Sequence, residues 1–531
     1  MKAKSFLESA GLTALYALPI ANAFLNSWHV DSFHRPHPVA SIPRAILLLT
    51  LLVWALAWLA IAGLDRLPPR GRNLAGIALP TLLIWLLGRV GAGIYAARPT
   101  VVGRALFASH VGLALVPIVL LVLWRWRPKA LQQALDATRA LFTVAAFGML
   151  ILLPKLAWQA LRFEAPEQTS FTDPSLRSAV SGQPRIVWIL MDELSYDQVF
   201  EHRLSGLTFP NFENFAQHST TFSDLQPTGY HTEEVIPGLF LGQTVADVEH
   251  IYGKPFRFRG VNRGPWHPYD PSQTIFGDAR RLGWTTGLAG WYNPYCRFLQ
   301  SVLDRCSWQF SDAYPGLPVQ LFYNRSTLAN LRALLRPHER MEPLVDRPSD
   351  HETHVRDYQE VMAQSESLLR DPRIRFVMLH LPVPHPPGIF DRRRHCLVAG
   401  GNYVDNLVLA DNTLGQLMTV IQSTPDASQT SVIISSDHSW RVDVWKKLPD
   451  WTPEETRASG KRFDPRPVLM VHLPGGQDAQ GISPQGISQR TSAMIVHPIL
   501  EAMLRGQLHS SGDIAALVGQ QKDEQRDKKD K

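Results

Sequence analysis

The sequence contains few cysteines and no long run of basic residues, and each absence narrows the classes of protein that it can encode. Three cysteines in 531 residues are too few for a disulfide-based scaffold. The net charge of +6 includes no long basic block, so the composition gives no indication of nucleic-acid binding. Cys296 and Cys306 lie close enough in sequence to pair in an oxidising compartment, which would leave Cys396 unpaired.

Charged residues are also scarce in the first third of the chain, where apolar residues form long runs. A bilayer core requires roughly 20 apolar residues in a helix. Five stretches approach that length, at residues 6–24, 46–64, 74–97, 101–124 and 141–158. The stretch 46–64 contains no charged residue. The sequence therefore predicts a transmembrane domain of about five helices over residues 1–160, followed by a linker over 161–182.

The first apolar stretch has two interpretations. Glu8 and Pro19 interrupt it, and the segment Ala21-Asn22-Ala23 resembles a signal-peptide cleavage site. We favour a retained helix over a cleaved signal peptide. Lys and Arg are concentrated in the loops on one side of the predicted spans, which should be the cytoplasmic side. Both interpretations then place the chain after residue 158 outside the cytoplasmic membrane, with the bilayer as a partner.

From about residue 182 the pattern changes to short apolar runs separated by helical and turn-rich segments. This pattern predicts an α/β domain with a largely parallel central sheet. Runs typical of buried strands lie at 185–191, 375–379, 431–435 and 467–471. We expect the domain to occupy residues 183–510 and the charged tail, residues 511–531, to be disordered.

The residues at and after the ends of three of these runs can bind a metal. They are Asp192, Glu193, His380, His385, Asp437 and His438. Taken singly, each has an ordinary explanation as a turn, a helix cap or a surface loop. Ligands of parallel α/β sheets gather at the carboxyl ends of strands, so these side chains are expected at one edge of the sheet. Carboxylates combined with imidazoles suit a divalent metal of the Zn or Mn type.

Thr232 stands where a helix is expected to begin, and two acidic residues follow it. One interpretation is an N-cap threonine without chemical function. The other is a nucleophile that attacks phosphorus, because a helix N-terminus favours the anionic group being transferred. The local sequence by itself favours the N-cap.

Taken in order, these segments resemble the alkaline phosphatase and sulfatase superfamily. The matching segments are Ile-Leu-Met-Asp192-Glu193, Thr232-x-x-x-Ile-Pro237, Leu-His380-x-x-x-x-His385-Pro and Ser-Asp437-His438. The chain is most similar to membrane-anchored phosphoethanolamine transferases and to phosphoglycerol transferases of the lipoteichoic acid synthase type. Those enzymes also place membrane helices ahead of an extracytoplasmic catalytic domain.

The resemblance implies a role for each candidate residue. The implied metal ligands are Asp192, Thr232, Asp437 and His438, with Glu193 as an alternative or additional ligand. His380 and His385 would contact the substrate phosphate or move protons. The transferases often carry a further His shortly after the Asp-His pair, and here none follows before His472, so a second metal is not implied.

The resemblance also implies a two-step transfer at the outer face of the bacterial cytoplasmic membrane. Thr232 would displace diacylglycerol from a phospholipid donor and then pass phosphoethanolamine or phosphoglycerol to a glycan or lipid acceptor of the cell envelope. The alternatives are a hydrolase or sulfatase, and a catalytically silent protein of envelope assembly. Sulfatases resemble one another in a Cys or Ser followed by x-Pro-x-Arg, which becomes formylglycine, and no such segment surrounds Thr232.

Overall fold

The chain forms two compact units. The computed structural model describes residues 2–25, 41–94, 99–162, 169–176, 184–249, 256–261, 264–309, 326–335, 350–460, 463–474 and 486–527. The first unit contains the described residues up to 162 together with 326–335, and the second unit contains the remaining described residues. The sequence had placed 326–335 inside the catalytic domain, so the first unit includes a segment that lies far along the chain.

The first unit is helical. Its helices are α1 (Lys2–Leu25), α2 (Ser41–Leu64), α3 (Pro69–Gly76), α4 (Ala78–Ile94), α5 (Pro99–Trp126), α6 (Pro128–Ala145), α7 (Met149–Arg162) and the later α12 (Thr327–Leu335). Four helical stretches of the described chain are long and apolar enough to cross a membrane, judged by length and composition: Ser41–Leu64, Pro69–Ala92, Gly103–Trp126 and Pro128–Leu161. They correspond to four of the five predicted spans.

The first predicted span is helix α1, which lies outside that group of four. A face of small residues on α1 is nevertheless buried against α2 and α7, and it consists of Ala10, Ala14, Ala17 and Ala21. Gly11 approaches α6 so closely that an added Cβ would lie 1.6 Å from the Phe142 carbonyl oxygen. Helix α1 thus packs on four other helices of the unit, α2, α4, α6 and α7. The choice between a retained helix and a cleaved signal peptide stays a prediction.

The second unit contains the strands of the fold. They are β1 (Ser170–Thr172), β2 (Arg185–Met191), β3 (Thr220–Thr221), β4 (Leu225–Gln226), β5 (Asp247–Glu249), β6 (Arg257–Arg259), β7 (His267–Pro268), β8 (Thr286–Trp291), β9 (Arg305–Gln309), β10 (Phe376–Leu381), β11 (Gly388–Asp391), β12 (Cys396–Gly401), β13 (Thr430–Ser435), β14 (Leu469–His472) and β15 (Thr491–Ser492). The central sheet has eight strands in the order β1-β9-β8-β10-β2-β13-β14-β3. The strands from β9 to β13 in this order pair in parallel, whereas β1, β14 and β3 pair antiparallel. The prediction of a largely parallel sheet is confirmed.

Helices cover both faces of this sheet. In chain order they are α8 (Pro210–Gln217), α9 (Thr232–Leu241), α10 (Ile275–Arg281), α11 (Tyr295–Phe298), α13 (Asp350–Leu369), α14 (Tyr403–Gln422), α15 (Val442–Trp445), α16 (Pro453–Ala458), α17 (Val496–Leu504) and α18 (Ser511–Asp527). Helices α9, α10 and α17 pack on one face, and α13 and α14 on the other. Alternate residues of β2 enter the two cores, which explains its unbroken apolar sequence.

The four runs predicted as strands correspond to β2, β10, β13 and β14, but β8 was not predicted. Strand β8 lies between β9 and β10, yet its sequence contains two glycines. A Cβ on Gly287 would lie 2.7 Å from Leu368, and one on Gly290 would lie 2.5 Å from Tyr295. A Cβ at either position would therefore displace a neighbouring side chain, and glycine stands where a strand signal would have a β-branched residue.

Two further predictions concern the cysteines and the tail. Cys296 and Cys306, for which the sequence left pairing open, form a disulfide, and Cys396 is exposed. The prediction of a disordered tail is wrong for residues 511–527, which form α18. The reason is that Ile514 and Val518 are buried in the core of the second unit. Residues 528–531 lie outside the described residues.

We expect Gly11→Ala to lower the thermal stability of the full-length protein in detergent. A methyl group at this position meets the backbone of α6, and overpacking of this kind destabilises by about 1–3 kcal/mol. Gly63→Ala is the matched control, because nothing lies within 4 Å of its added Cβ. Differential scanning fluorimetry should show a lower midpoint for Gly11→Ala and an equal or higher midpoint for Gly63→Ala. Equal midpoints for both variants would contradict the close packing of α1 on α6.

Candidate active site

The carboxyl ends of three adjacent strands bring the predicted acids and imidazoles together. Strand β2 lies between β10 and β13, and all three run parallel in matching register. Asp192 follows β2, and its backbone N–H donates to the Leu381 carbonyl at 3.1 Å, so the ends of β2 and β10 are aligned. His380 belongs to β10 itself, because the strand continues one residue beyond it.

Thr232 is the first residue of α9 and does not cap it, since the N-cap position is occupied by His231. The side chain of Thr232 is buried and its hydroxyl points at the strand ends. The hydroxyl donates to Asp437 Oδ2 at 2.8 Å and lies 3.4 Å from Asp192 Oδ2. His438 Nε2 is 3.3 Å away. The N-cap interpretation is therefore wrong, and the threonine hydroxyl stands among the candidate metal ligands.

The geometry of this cluster fits a metal cation. Asp192, Asp437 and His438 each offer a ligand atom, and these atoms lie within 4.8 Å of one another. Within the described part of the chain, Asp192 Oδ1 and His380 Nε2 are buried and make no hydrogen bond. Buried carboxylates require a compensating charge. Two oxygen donors and one imidazole nitrogen are suitable ligands for a divalent transition metal.

The pKa values of the two carboxyl groups shift in opposite directions, although burial disfavours ionisation of both. Burial and the neighbouring Asp437 raise the pKa of Asp192 well above its ordinary value. Burial also opposes ionisation of Asp437, but the nearby His438 and His380 outweigh it and hold the pKa of Asp437 below its ordinary value. Full ionisation of both groups therefore needs a positive charge between them.

The pKa values of His380 and His385 are both lowered, which favours the neutral imidazole. Burial lowers the pKa of His380 to about 4. Its Nδ1 is 2.6 Å from the Tyr295 hydroxyl, and its Nε2 is 3.4 Å from Asp192 Oδ2. Burial and the adjacent Arg441 lower the pKa of His385 well below its ordinary value. A neutral imidazole can accept a proton or bind a metal, and His380 has this capacity directly beside Asp192.

Glu193 belongs to a second cluster of charges. Its backbone is in the left-handed region at φ 61°, which turns the side chain away from that of Asp192. The carboxylate accepts hydrogen bonds from Arg441 Nε and from Trp445 Nε1, the latter at 2.8 Å. His385 Nε2 lies 4.0 Å from Glu193 Oε1. One ligand atom from each of Asp192, Glu193 and His385 also lies within 4.8 Å of the others, a spacing that suits a metal ion. The role of Glu193 as a ligand stays a prediction.

Sequence reasoning did not predict the contacts that five further residues make around the site. Arg441 lies over the rings of Tyr230 and Trp445, at 5.8 and 5.7 Å from their centres. Asn293 Nδ2 donates to the Thr232 carbonyl at 3.3 Å, and Tyr295 contacts His380. Asn293 and Tyr295 follow β8, the strand that was not predicted. Recognising β8 would have drawn attention to them, since functional residues follow parallel strands.

We expect Asp437→Asn to abolish stoichiometric binding of a divalent metal by the full-length protein. The change removes one of the two buried carboxylates of the cluster, and the loss of affinity should exceed the roughly 10–100-fold that an outer-shell partner contributes. Metal content is measured by mass spectrometry after equilibration with Zn²⁺ or Mn²⁺. Asp450→Asn is the control, because Asp450 is exposed. A folded Asp437→Asn protein with undiminished metal content would contradict the site.

We also expect metal affinity to fall as the buffer is made more acidic. The raised pKa of Asp192 means that this carboxyl holds its proton to higher pH than an ordinary aspartate, so a binding cation must displace that proton. Calorimetry in two buffers with different heats of ionisation should detect proton release on binding. An affinity that stays constant on acidification, with no proton released, would contradict this assignment of Asp192.

Comparisons with known proteins place the second unit in a family. The family described as Sulfatase matches residues 184–502. No curated protein matches the chain.

Similar solved structures include three proteins from different bacteria. The phosphonate monoester hydrolase of Agrobacterium radiobacter is 15% identical, with 61% of this chain and 74% of that chain covered and a TM-score of 0.35. A protein in the alkaline phosphatase superfamily from Vibrio parahaemolyticus is 14% identical, with 62% and 71% covered and a TM-score of 0.34. The PsFucS1 sulfatase from Pseudoalteromonas sp. is 15% identical, with 62% and 68% covered and a TM-score of 0.39. The family match spans more than half of the sequence, and the chain belongs to the Sulfatase family.

Proposed function

We propose that the protein is a membrane-anchored, metal-dependent transferase that moves phosphoethanolamine or phosphoglycerol from a phospholipid to a glycan or lipid acceptor of the cell envelope. The observation that carries this proposal is the buried Thr232 hydroxyl, which donates to Asp437 at the end of the sheet. Threonine is not the Cys or Ser from which formylglycine is made, and its neighbours Glu233, Glu234 and Val235 do not form the x-Pro-x-Arg segment. This favours a phosphothreonine intermediate over sulfate ester hydrolysis.

The proposed metal is a divalent ion of the Zn or Mn type. Its ligands would be Asp192, Thr232, Asp437 and His438. When bound, such an ion acts as a Lewis acid on phosphoryl oxygens and lowers the pKa of a coordinated hydroxyl. Glu193 remains available as a further ligand only if its ion pair with Arg441 opens, because both partners are largely buried.

In the first half-reaction, the Thr232 Oγ1 forms a bond to the phosphorus of the donor head group. The Thr232 hydroxyl loses its proton, the bond between phosphorus and the diacylglycerol oxygen breaks, and that oxygen takes up one proton and leaves as the alcohol. Asp437 accepts the hydrogen bond of the Thr232 hydroxyl at 2.8 Å and so orients its lone pairs. The N-terminus of α9 favours the negative charge of the phosphoryl group.

In the second half-reaction, the acceptor hydroxyl forms a bond to phosphorus, and the bond to Thr232 Oγ1 breaks. Thr232 regains a proton, and a base must take the proton of the acceptor. His380 and His385 are the candidates, since both have pKa values lowered by burial and are neutral at physiological pH. His380 is the better placed of the two, because its Nε2 lies 3.4 Å from Asp192 at the ligand cluster.

The first unit supports the choice of a lipid donor. Four stretches long and apolar enough to cross a bilayer would hold the protein in the membrane that contains the donor. The distribution of Lys and Arg supports an extracytoplasmic position of the catalytic domain at the bacterial inner membrane. The disulfide between Cys296 and Cys306 is consistent with that oxidising compartment.

The test is to trap the intermediate on the full-length protein in proteoliposomes. The protein is supplied with metal and with phosphatidylethanolamine or phosphatidylglycerol labelled in the head group, and its intact mass is measured. We expect a covalent adduct whose mass identifies the transferred group. Thr232→Ala should lose the adduct and lower turnover by more than about 10³-fold. Thr419→Ala is the control, because that hydroxyl lies on the exposed side of α14.

The same experiment separates the alternatives. An adduct whose label is released as a free phosphate ester, whatever acceptor is added, would identify a hydrolase. A folded, metal-loaded protein that forms no adduct with either lipid would overturn the transferase proposal. A folded protein that binds no metal would favour the catalytically silent function.

A further inference from the structure

Helix α12 belongs to the first unit although its neighbours in sequence belong to the second. The chain leaves the central sheet after β9 and returns to the second unit at α13. Between them, α12 packs on α2, with Leu334 buried in a cluster that includes Ile42 and Ala45. The Asn330 Nδ2 donates to the Ser41 Oγ at 3.0 Å in a buried hydrogen bond. This bond joins residues that are 289 positions apart in the sequence.

The position of Ser41 fixes the level of α12 relative to a bilayer. Ser41 is the first residue of α2 and of the apolar span Ser41–Leu64. A span of 24 residues extends about 36 Å as a helix, slightly more than the hydrocarbon core of about 30 Å. Ser41 therefore lies where the span meets the surface of the bilayer, and its hydrogen bond holds Asn330 at that level.

The opposite face of α12 is exposed and carries two leucines and an arginine. Leu328 and Leu335 are 57% and 49% exposed, and Arg332 between them is also exposed. The three residues are spaced by four and three positions, so they share one face of the helix. Asn330 and Leu334 lie on the buried face. Two exposed leucines with an arginine between them match the interfacial region of a bilayer, where leucine enters the acyl boundary and arginine reaches phosphate.

We propose that α12 is an interfacial helix whose exposed face, Leu328, Arg332 and Leu335, binds the phospholipid surface at the Ser41 end of α2. The partner is the lipid itself: the leucines contact the upper acyl chains, and the guanidinium contacts head-group phosphates. The chain of the second unit is thereby attached to the membrane at a second point, in addition to the connection between α7 and β1. This inference depends on α2 crossing a bilayer and does not depend on the transfer chemistry.

The docking of α12 is tested by crosslinking the full-length protein in proteoliposomes. In a Cys396→Ser background, Ser41→Cys combined with Asn330→Cys should form a disulfide under mild oxidation, seen as a mobility shift on a non-reducing gel. Ser41→Cys combined with Leu335→Cys is the matched control, because Leu335 lies on the exposed face. Equal crosslinking of both pairs, or none of the first pair in well-folded protein, would overturn the docking.

The lipid contact is tested with an environment-sensitive fluorophore on Leu328→Cys and, separately, on Leu335→Cys, again in a Cys396→Ser background. We expect brominated phospholipids to quench both labels and aqueous iodide to quench them weakly. Leu56→Cys, exposed on α2 within the span, gives the reference value for the bilayer interior. Strong iodide quenching would show that the face is in water and would overturn the proposal. Protection from both quenchers would show that protein covers the face, which also overturns it.

Discussion

Two buried carboxylates, Asp192 and Asp437, meet at a single threonine hydroxyl, and much of the second unit serves to hold them there. Both are withdrawn from water, and their ion-pair partners among the described residues are histidines. Bringing two acids together in a dry interior is unfavourable unless a cation joins them. The parallel register of β10, β2 and β13 places the two carboxylates side by side at the strand ends. The helices on both faces exclude water, which would otherwise screen the repulsion between the two charges.

The adjacent residues Asp192 and Glu193 differ in how their carboxylates are held. Asp192 retains a buried oxygen without a hydrogen bond within the described chain, whereas the carboxylate of Glu193 is held by Arg441 and Trp445. Glu193 adopts a positive φ of 61°, and its carboxylate lies beside Arg441 and Trp445. A conformation this rare in a non-glycine residue is tolerated where the surrounding contacts determine it, and here they also stack Arg441 on Tyr230.

Much of this arrangement was predictable from the sequence, and the exceptions have physical causes. Buried parallel strands are continuous apolar runs, so β2, β10 and β13 and the ligands at their ends could be identified. Strand β8 was not predicted because Gly287 and Gly290 interrupt its apolar, β-branched pattern. An added Cβ at either position would lie within 3 Å of a neighbouring side chain. The clusters around His380 and Glu193 depend on contacts between segments far apart in sequence. The docking of α12 on α2 could not be predicted for the same reason.

The long-range bond between Ser41 and Asn330 has a consequence for biosynthesis. At roughly 5–20 residues per second, a ribosome needs about 15–60 seconds to advance over the 289 positions between them. Throughout that interval α2 has been synthesised, but α12 is not yet available to pack on the Ser41 end of α2. The helical unit therefore reaches its final packing only after much of the catalytic sheet has been translated. Completion of the helical unit is in this way linked in time to synthesis of the second unit.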